Sequence, residues 1–171
     1  MDNATKVLSE IDWDKELTST GFPTNMIFES KSITEAISLA ENFTKNEPIK
    51  ADIYKDFDNK QKIIFMMELK NKGANKTVLE RVDGNLSVTG KEKNPDILSY
   101  WLTLNIPSRL NEVKQDVVEY LKDYGRAKYI IPVYTLSADV NSSFAKEQFN
   151  KNKANYNPRV VKSLEKIILK N

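Results

Sequence analysis

Residues 108–125 read SRLNEVKQDVVEYLKDYG, and their spacing decides the fold. Leu110, Val113, Val117, Leu121 and Tyr124 recur every three or four residues, which puts them on one face of a helix. Ser108 is placed to cap its first turn and Gly125 to stop its last. The stretch GRAKYIIPVY, residues 125–134, follows at once and sets two cations, Arg126 and Lys128, beside the helix end.

The same grammar repeats outward from this helix. Upstream, Asn94-Pro95 supplies a cap followed by proline at the first helical position, ahead of Ile97, Leu98, Trp101, Leu102 and Leu104. Asp58 and Gln61 are spaced for a capping box, and Gly73 for the left-handed stop of the same helix. Ser32 and Glu35 repeat the box ahead of a stripe of Ile33, Ala36, Ile37, Ala40 and Phe43. A short helix after Asn75 is expected to end at Gly84, with a loop from there to Asn94. Downstream, Phe144, Ala145 and Phe149 share a side, and Asn157-Pro158 opens a last helix with Val160, Val161, Leu164, Ile167 and Ile168 on its apolar face. Met66, Met67 and Trp101 are expected in the core. Strand signals hardly occur. Seven to nine helices joined by short polar turns predict an all-α fold, a stack of antiparallel helical hairpins rather than a four-helix bundle.

Composition limits the chemistry. The chain has 171 residues, 40% of them hydrophobic and 29% charged, which suits one globular domain. It holds no cysteine, so no disulfide, thiolate nucleophile or zinc–thiolate cluster forms. It also holds no histidine, which removes the imidazole of catalytic triads and of the His-Glu-x-x-His zinc motif. No cofactor or metal is expected on these residues, and independent catalysis is not expected. The first residues, MDNATKVLSEIDWDKEL, carry acids where a signal peptide needs a basic segment and then an apolar one. The expectation is a monomeric cytoplasmic chain with no membrane span.

Charge is uneven although the net is +2. Residues 1–60 hold 12 acidic and 7 basic side chains, whereas residues 146–171 hold 7 basic and 2 acidic. A basic end invites phosphate, but these lysines alternate with core residues and lack an aromatic stacking pattern. They read as a solvated helical face, and nucleic-acid binding is not expected.

Five segments taken in order resemble one family. IDWDKELTSTGFP (11–23), KDFDNKQKIIFMMEL (55–69), WLTLNI (101–106), GRAKYIIPVY (125–134) and FNKNKANYNPRVVKSL (149–164) are similar to the C-terminal helical domain of leukotriene A(4) hydrolase and related zinc aminopeptidases. The likeness runs from about Ile11 to Asn171, which leaves residues 1–10 as an expected flexible segment and 11–171 as a single domain. It implies a right-handed superhelix of two helical layers, similar to armadillo or HEAT repeats. It also implies that zinc and the catalytic residues lie in other domains of a longer parent, the catalytic and N-terminal domains being the partners. The Gly-Arg-x-Lys segment of the family carries over to Gly125, Arg126 and Lys128, which the resemblance makes the binding site for the free carboxylate of a peptide or fatty-acid epoxide.

Guanidinium chemistry suits that role, because its fork pairs two donors with one carboxylate while an ammonium adds charge without fixed geometry. The competing reading is electrostatic. Cations just past the C-terminal end of a helix stabilise it by roughly 0.3–1 kcal/mol with no ligand at all. Tyr129, Pro132 and Tyr134 read as supports for the Arg126 loop, and Ile131 stands where relatives carry a further basic residue. The apolar run Ile130, Ile131 and Val133 is expected to border an exposed, partner-facing patch. Trp13 reads as an anchor and Asp12 as a turn cap, with no site assigned to either. The alternative function is a free-standing helical-repeat scaffold, since such stacks present extended concave surfaces.

Overall fold

The computed structural model describes residues 12, 13, 18 and 30–168. The chain divides into two compact units, Met1–Ser30 and Lys31–Asn171. The expected flexible segment 1–10 lies outside the described residues, and Trp13 is 51% exposed.

Among the described residues of the second unit there are eight α-helices: α1 (Lys31–Lys45), α2 (Asp52–Asp56), α3 (Asn59–Asn71), α4 (Lys76–Leu86), α5 (Pro95–Asp123), α6 (Ala127–Val140), α7 (Ser142–Asn152) and α8 (Pro158–Ile168). A single 3-10 turn, Lys153–Asn155, precedes the last of them. Among the described residues there is no strand. Helix α1 packs on α3, α3 on α5, α5 on α6, and α6 on both α7 and α8, while α4 bridges α1 and α5. The core runs along this series through Phe43, Phe65, Trp101, Tyr120 and Tyr134, all at or below 1% exposure.

Cap chemistry explains where most helices begin. Asp58 accepts from the Gln61 amide at 2.8 Å and its own N–H donates to the Gln61 side chain at 3.1 Å, so the capping box is complete. Asn75 caps α4 through the Val78 amide, Asn94 caps α5 through the Asp96 and Ile97 amides, and Asn157 accepts from the Arg159 amide at 2.9 Å ahead of α8. Gly73 sits at φ 66°, the left-handed stop its residue type allows.

Four local expectations are corrected. Ser32 is not a cap, because α1 already begins at Lys31, and Leu39 takes the buried place expected of Ile33, which is 36% exposed. Met66 is buried but Met67, its neighbour on the other side of α3, is 44% exposed. Gly84 does not end α4. The helix continues to Leu86, and the left-handed residue is Ser87 at φ 53°. The segments read as two helices around Ser108 form one 29-residue helix with a break at Arg109, whose φ of −138° and ψ of 31° leave the helical region. Pro107 supplies the cause, since its ring lacks an N–H and crowds the carbonyl four residues back.

The break is held by a polar network. Arg109 is 5% exposed and donates to Asn105 Oδ1 at 2.7 Å and to Asp83 Oδ2 at 3.2 Å. Asp83 also accepts from the Thr89 amide and hydroxyl, and that hydroxyl accepts from the Trp101 indole at 3.1 Å. A guanidinium this deep requires such partners. They fix α4 and the loop after it onto α5.

Candidate functional site

Helix α5 ends at Asp123, and Tyr124 turns the chain into extended geometry at φ −118° and ψ 134°. Gly125 follows without a positive φ, so it is not the left-handed stop the sequence suggests. The α5 end is secured from a distance instead. The Tyr156 hydroxyl donates to the Leu121 carbonyl, one of the acceptors that a helix leaves open in its last turn. Burial of Tyr156 pushes its phenol above the usual range, as does the Tyr134 hydroxyl 3.1 Å away.

Arg126 occupies the N-cap position of α6 but makes no side-chain cap bond, and Lys128 lies in the first helical turn. Both are exposed. Their position bears on the dipole reading. The cations that follow the negative end of α5 also stand on the positive end of α6, where a cation is disfavoured. The two effects oppose each other, so the helix ends give little reason for this pair of charges.

The two cations differ in their surroundings. Lys128 Nζ donates to Asp96 Oδ1 at 2.9 Å and lies 4.4 Å from the centre of the Tyr129 ring. Asp96 belongs to the first turn of α5, and its second oxygen accepts from the Tyr129 hydroxyl at 3.2 Å. The hydrogen bond from Lys128 holds the Asp96 carboxyl below its ordinary value, burial opposing it, and the same contact raises the Lys128 ammonium. Arg126 has no ion pair and no side-chain hydrogen bond among the described residues, although its charge adds to the field that lowers Asp96. Sequence reasoning found both cations and missed Asp96, whose partner is 32 residues away.

Tyr129 is the support it was expected to be. It is 7% exposed, and its ring meets those of Tyr120 and Tyr124 at 6.3 and 5.9 Å. Tyr134 is buried against Phe149 and Tyr156, which fixes α6 rather than the Arg126 turn directly. The expectation of an exposed run at 130–133 fails, because Ile130 and Val133 are at 0% exposure inside the core and Ile131 is partly covered.

The open face lies one step around the helix. A groove of about 1040 Å³ runs between α5 and α6, with Asp96 and Lys128 among its lining and Thr103, Pro107, Pro132 and Leu136 further along. Pro107 and Pro132 offer no N–H to the Thr103 and Lys128 carbonyls four residues back, so each helix presents a carbonyl without its usual helical donor. Arg126 stands outside this lining, two residues before Lys128. The groove offers apolar and hydrogen-bonding surface along its length, with the Lys128–Asp96 pair at one end. Among the described residues no helix is long and apolar enough to cross a membrane.

Comparison with known proteins gives this geometry its class. Residues 57–168 match the family described as leukotriene A4 hydrolase, C-terminal, and the chain belongs to that family. Leucine aminopeptidase 2 of Yarrowia lipolytica is 28% identical over 164 residues, covering 90% of this chain and 25% of that protein. Leucine aminopeptidase 2 of Phaeosphaeria nodorum is 28% identical over 174 residues, covering 95% and 28%. The chain thus spans about a quarter of the length of the curated relatives it matches. The native yeast LTA4 hydrolase structure superposes with a TM-score of 0.77 at 20% identity, over 97% of this chain and 30% of that one, and the native leukotriene A4 hydrolase of Saccharomyces cerevisiae with 0.73. The fold is accordingly the all-α stack of helical hairpins expected from the residues, and the right-handed, two-layered superhelix implied by the resemblance.

Zinc, which the family resemblance implies for the parent, finds no donor set here. The chain has no histidine or cysteine, and among the described residues no three carboxylates converge. The residues present do not fit a zinc site.

Proposed function

We propose that residues 11–171 are the C-terminal helical domain of a zinc aminopeptidase related to leukotriene A(4) hydrolase, a cytoplasmic monomer. The domain forms one wall of the substrate cleft opposite the catalytic domain of the same parent. Arg126 binds the free carboxylate of a peptide, or of a fatty-acid epoxide, with Lys128 adding charge and Gly125 letting the ligand approach the backbone. The observation that carries this reading is Arg126 itself: an exposed guanidinium at the positive end of α6, with no ion pair or side-chain hydrogen bond among the described residues. Among the described residues no side chain pairs with its charge. Family membership supports the role, since residues 125–128 lie within the span 57–168 that matches the family and carry the Gly-Arg-x-Lys pattern on which the resemblance rests.

The test uses the full-length gene product, whose sequence is expected to carry a His-Glu-x-x-His motif ahead of this segment. Arg126→Ala is expected to lower kcat/KM on a tripeptide by about 2–5 kcal/mol in transition-state terms, the range for removing one partner of a desolvated charge pair. The C-terminal amide of the same tripeptide cannot use the contact, so its loss is expected to be much smaller. Arg126→Lys keeps the charge without the fork and should recover only part of the difference. Equal losses on peptide and amide would make Arg126 a structural residue.

A further inference from the structure

The groove between α5 and α6 has firm walls, and each wall carries a backbone acceptor without its usual donor. Helix α5 folds back at its break, because the Tyr120 hydroxyl donates to the Pro95 carbonyl at 3.1 Å, between residues that a straight helix would hold about 37 Å apart. Residues 95–108 therefore form one wall, with the second limb of α5 standing behind it and α6 across from it. Pro107 follows Thr103 by four residues and Pro132 follows Lys128 by four, so one carbonyl on each wall lacks its helical donor at the same open face. Tyr100, Leu104 and Leu136 add half-buried apolar surface. At the α3 end the lining includes Lys70, which has no ion pair or side-chain hydrogen bond among the described residues. Its neighbour in the lining, Lys76, is answered by Glu112 at 3.3 Å and Glu80 at 3.8 Å.

We propose that this groove docks an extended peptide segment with an acidic side chain: backbone N–H groups of the peptide donate to the Thr103 and Lys128 carbonyls, its apolar side chains lie on Tyr100, Leu104 and Leu136, and its carboxylate pairs with Lys70. Each part follows from what the walls offer. A purely apolar occupant would cover two acceptors without replacing their water, which is costly. A helical occupant spends its own N–H groups internally, whereas an extended one presents them to either side. Lys70 is the cation of the lining that no carboxylate of the domain answers, so charge complementarity calls for an acid at the α3 end. The site goes beyond the Arg126 clamp, because it holds a peptide along its chain and not by a free terminus.

The probe is an N-acetylated, C-amidated hexapeptide of alternating leucine and alanine with one aspartate walked through its positions, titrated into the full chain at low ionic strength. Its capped end gives Arg126 no carboxylate, so failure of the clamp leaves this test standing. At least one member of the set should bind saturably with a Kd of about 1 mM or tighter, and about two- to five-fold more tightly than the same peptide with asparagine, the size of an exposed ion pair. Lys70→Met should abolish that preference. Pro107→Ala and Pro132→Ala each return an N–H to the helix, and each should weaken binding about three- to ten-fold while the unfolding midpoint stays at or above that of wild type. N-methylation of the peptide at its donor positions should cause a similar loss, which keeps the test decisive if a proline variant folds poorly. The proposal is overturned if no member of the set binds saturably, if the aspartate preference survives Lys70→Met, or if N-methylation at every position is neutral. A dimer of the chain that covers this face and that the peptides do not dissociate overturns it as well.

Discussion

The Tyr156 hydroxyl caps the Leu121 carbonyl and so closes the end of α5 from a residue that precedes α8. The bond joins the turn carrying Arg126 to the last helix of the domain. It also completes a pair with Tyr134, whose hydroxyl lies 3.1 Å from that of Tyr156. Tyr156→Phe keeps the ring and its edge contact with Tyr134 but leaves a buried carbonyl and a buried hydroxyl short of a partner. We expect a stability loss of about 1–3 kcal/mol in denaturant unfolding. A loss below about 0.5 kcal/mol would show that water takes the place of the hydroxyl.

The Asp96–Lys128 pair has a definite pH signature. Asp96 is held below its ordinary 3.8 chiefly by the Lys128 hydrogen bond, so its contribution is complete above that value and is lost as pH falls through the lowered one. Lys128 is raised above 10.5 chiefly by the same bond, so its contribution is complete below 10.5 and is lost as pH rises through the raised value. The stability difference between wild type and Lys128→Met should therefore be flat between about pH 5 and 9 and shrink on both sides. Carboxyl NMR should show the Asp96 midpoint below 3.8 in wild type and moving up in Lys128→Met. An unmoved midpoint would mean that the two side chains do not pair in solution.

Helix α4 offers a backbone test. Gly84 lies inside the helix, with open space around the position a Cβ would take, whereas Ser87 bears the left-handed φ of 53°. Gly84→Ala should stabilise the domain by about 0.5–1 kcal/mol, because glycine carries extra chain entropy into a helix interior. Ser87→Gly should add a gain of similar sign, about 1 kcal/mol, by removing the Cβ penalty of the left-handed region. Thermal unfolding of the two variants and their combination checks both. A destabilised Gly84→Ala would place the end of α4 back at the glycine.

What was legible in the sequence was local. Asp58 with Gln61, Asn94 with Pro95 and Asn157 with Pro158 announce helix starts because a cap and the amides it satisfies lie within three residues. The apolar stripe from Leu110 to Leu121 announces a helix because periodicity is also local. What stayed hidden depends on distant partners. Asp96 carries no sign of Lys128, nor Tyr156 of Leu121, and the Arg109 break needs Asp83 and Asn105 to hold it. Gly84 misled because tertiary packing of Leu79 and Val82 carries the helix past a residue whose own preference is to end it.

Gly125 allows a structural role for glycine to be told from a functional one. Its φ is not positive, so the backbone does not demand glycine, and a Cβ built there would meet the Tyr156 ring at 3.4 Å and the Asn155 carbonyl at 3.7 Å, distances of ordinary contact. Folding alone thus tolerates alanine. Gly125→Ala should keep stability within about 0.5 kcal/mol of wild type, or raise it slightly through the unfolded chain. On the proposed clamp, a ligand carboxylate held by Arg126 would come close to the same backbone, where a methyl group would stand in the way. The variant should therefore lose kcat/KM on a free tripeptide more than on its amide while its unfolding midpoint holds. Equal kinetics on both substrates would leave Gly125 outside the site, and a large drop in stability would show that the Tyr156 contact is tighter than ordinary packing.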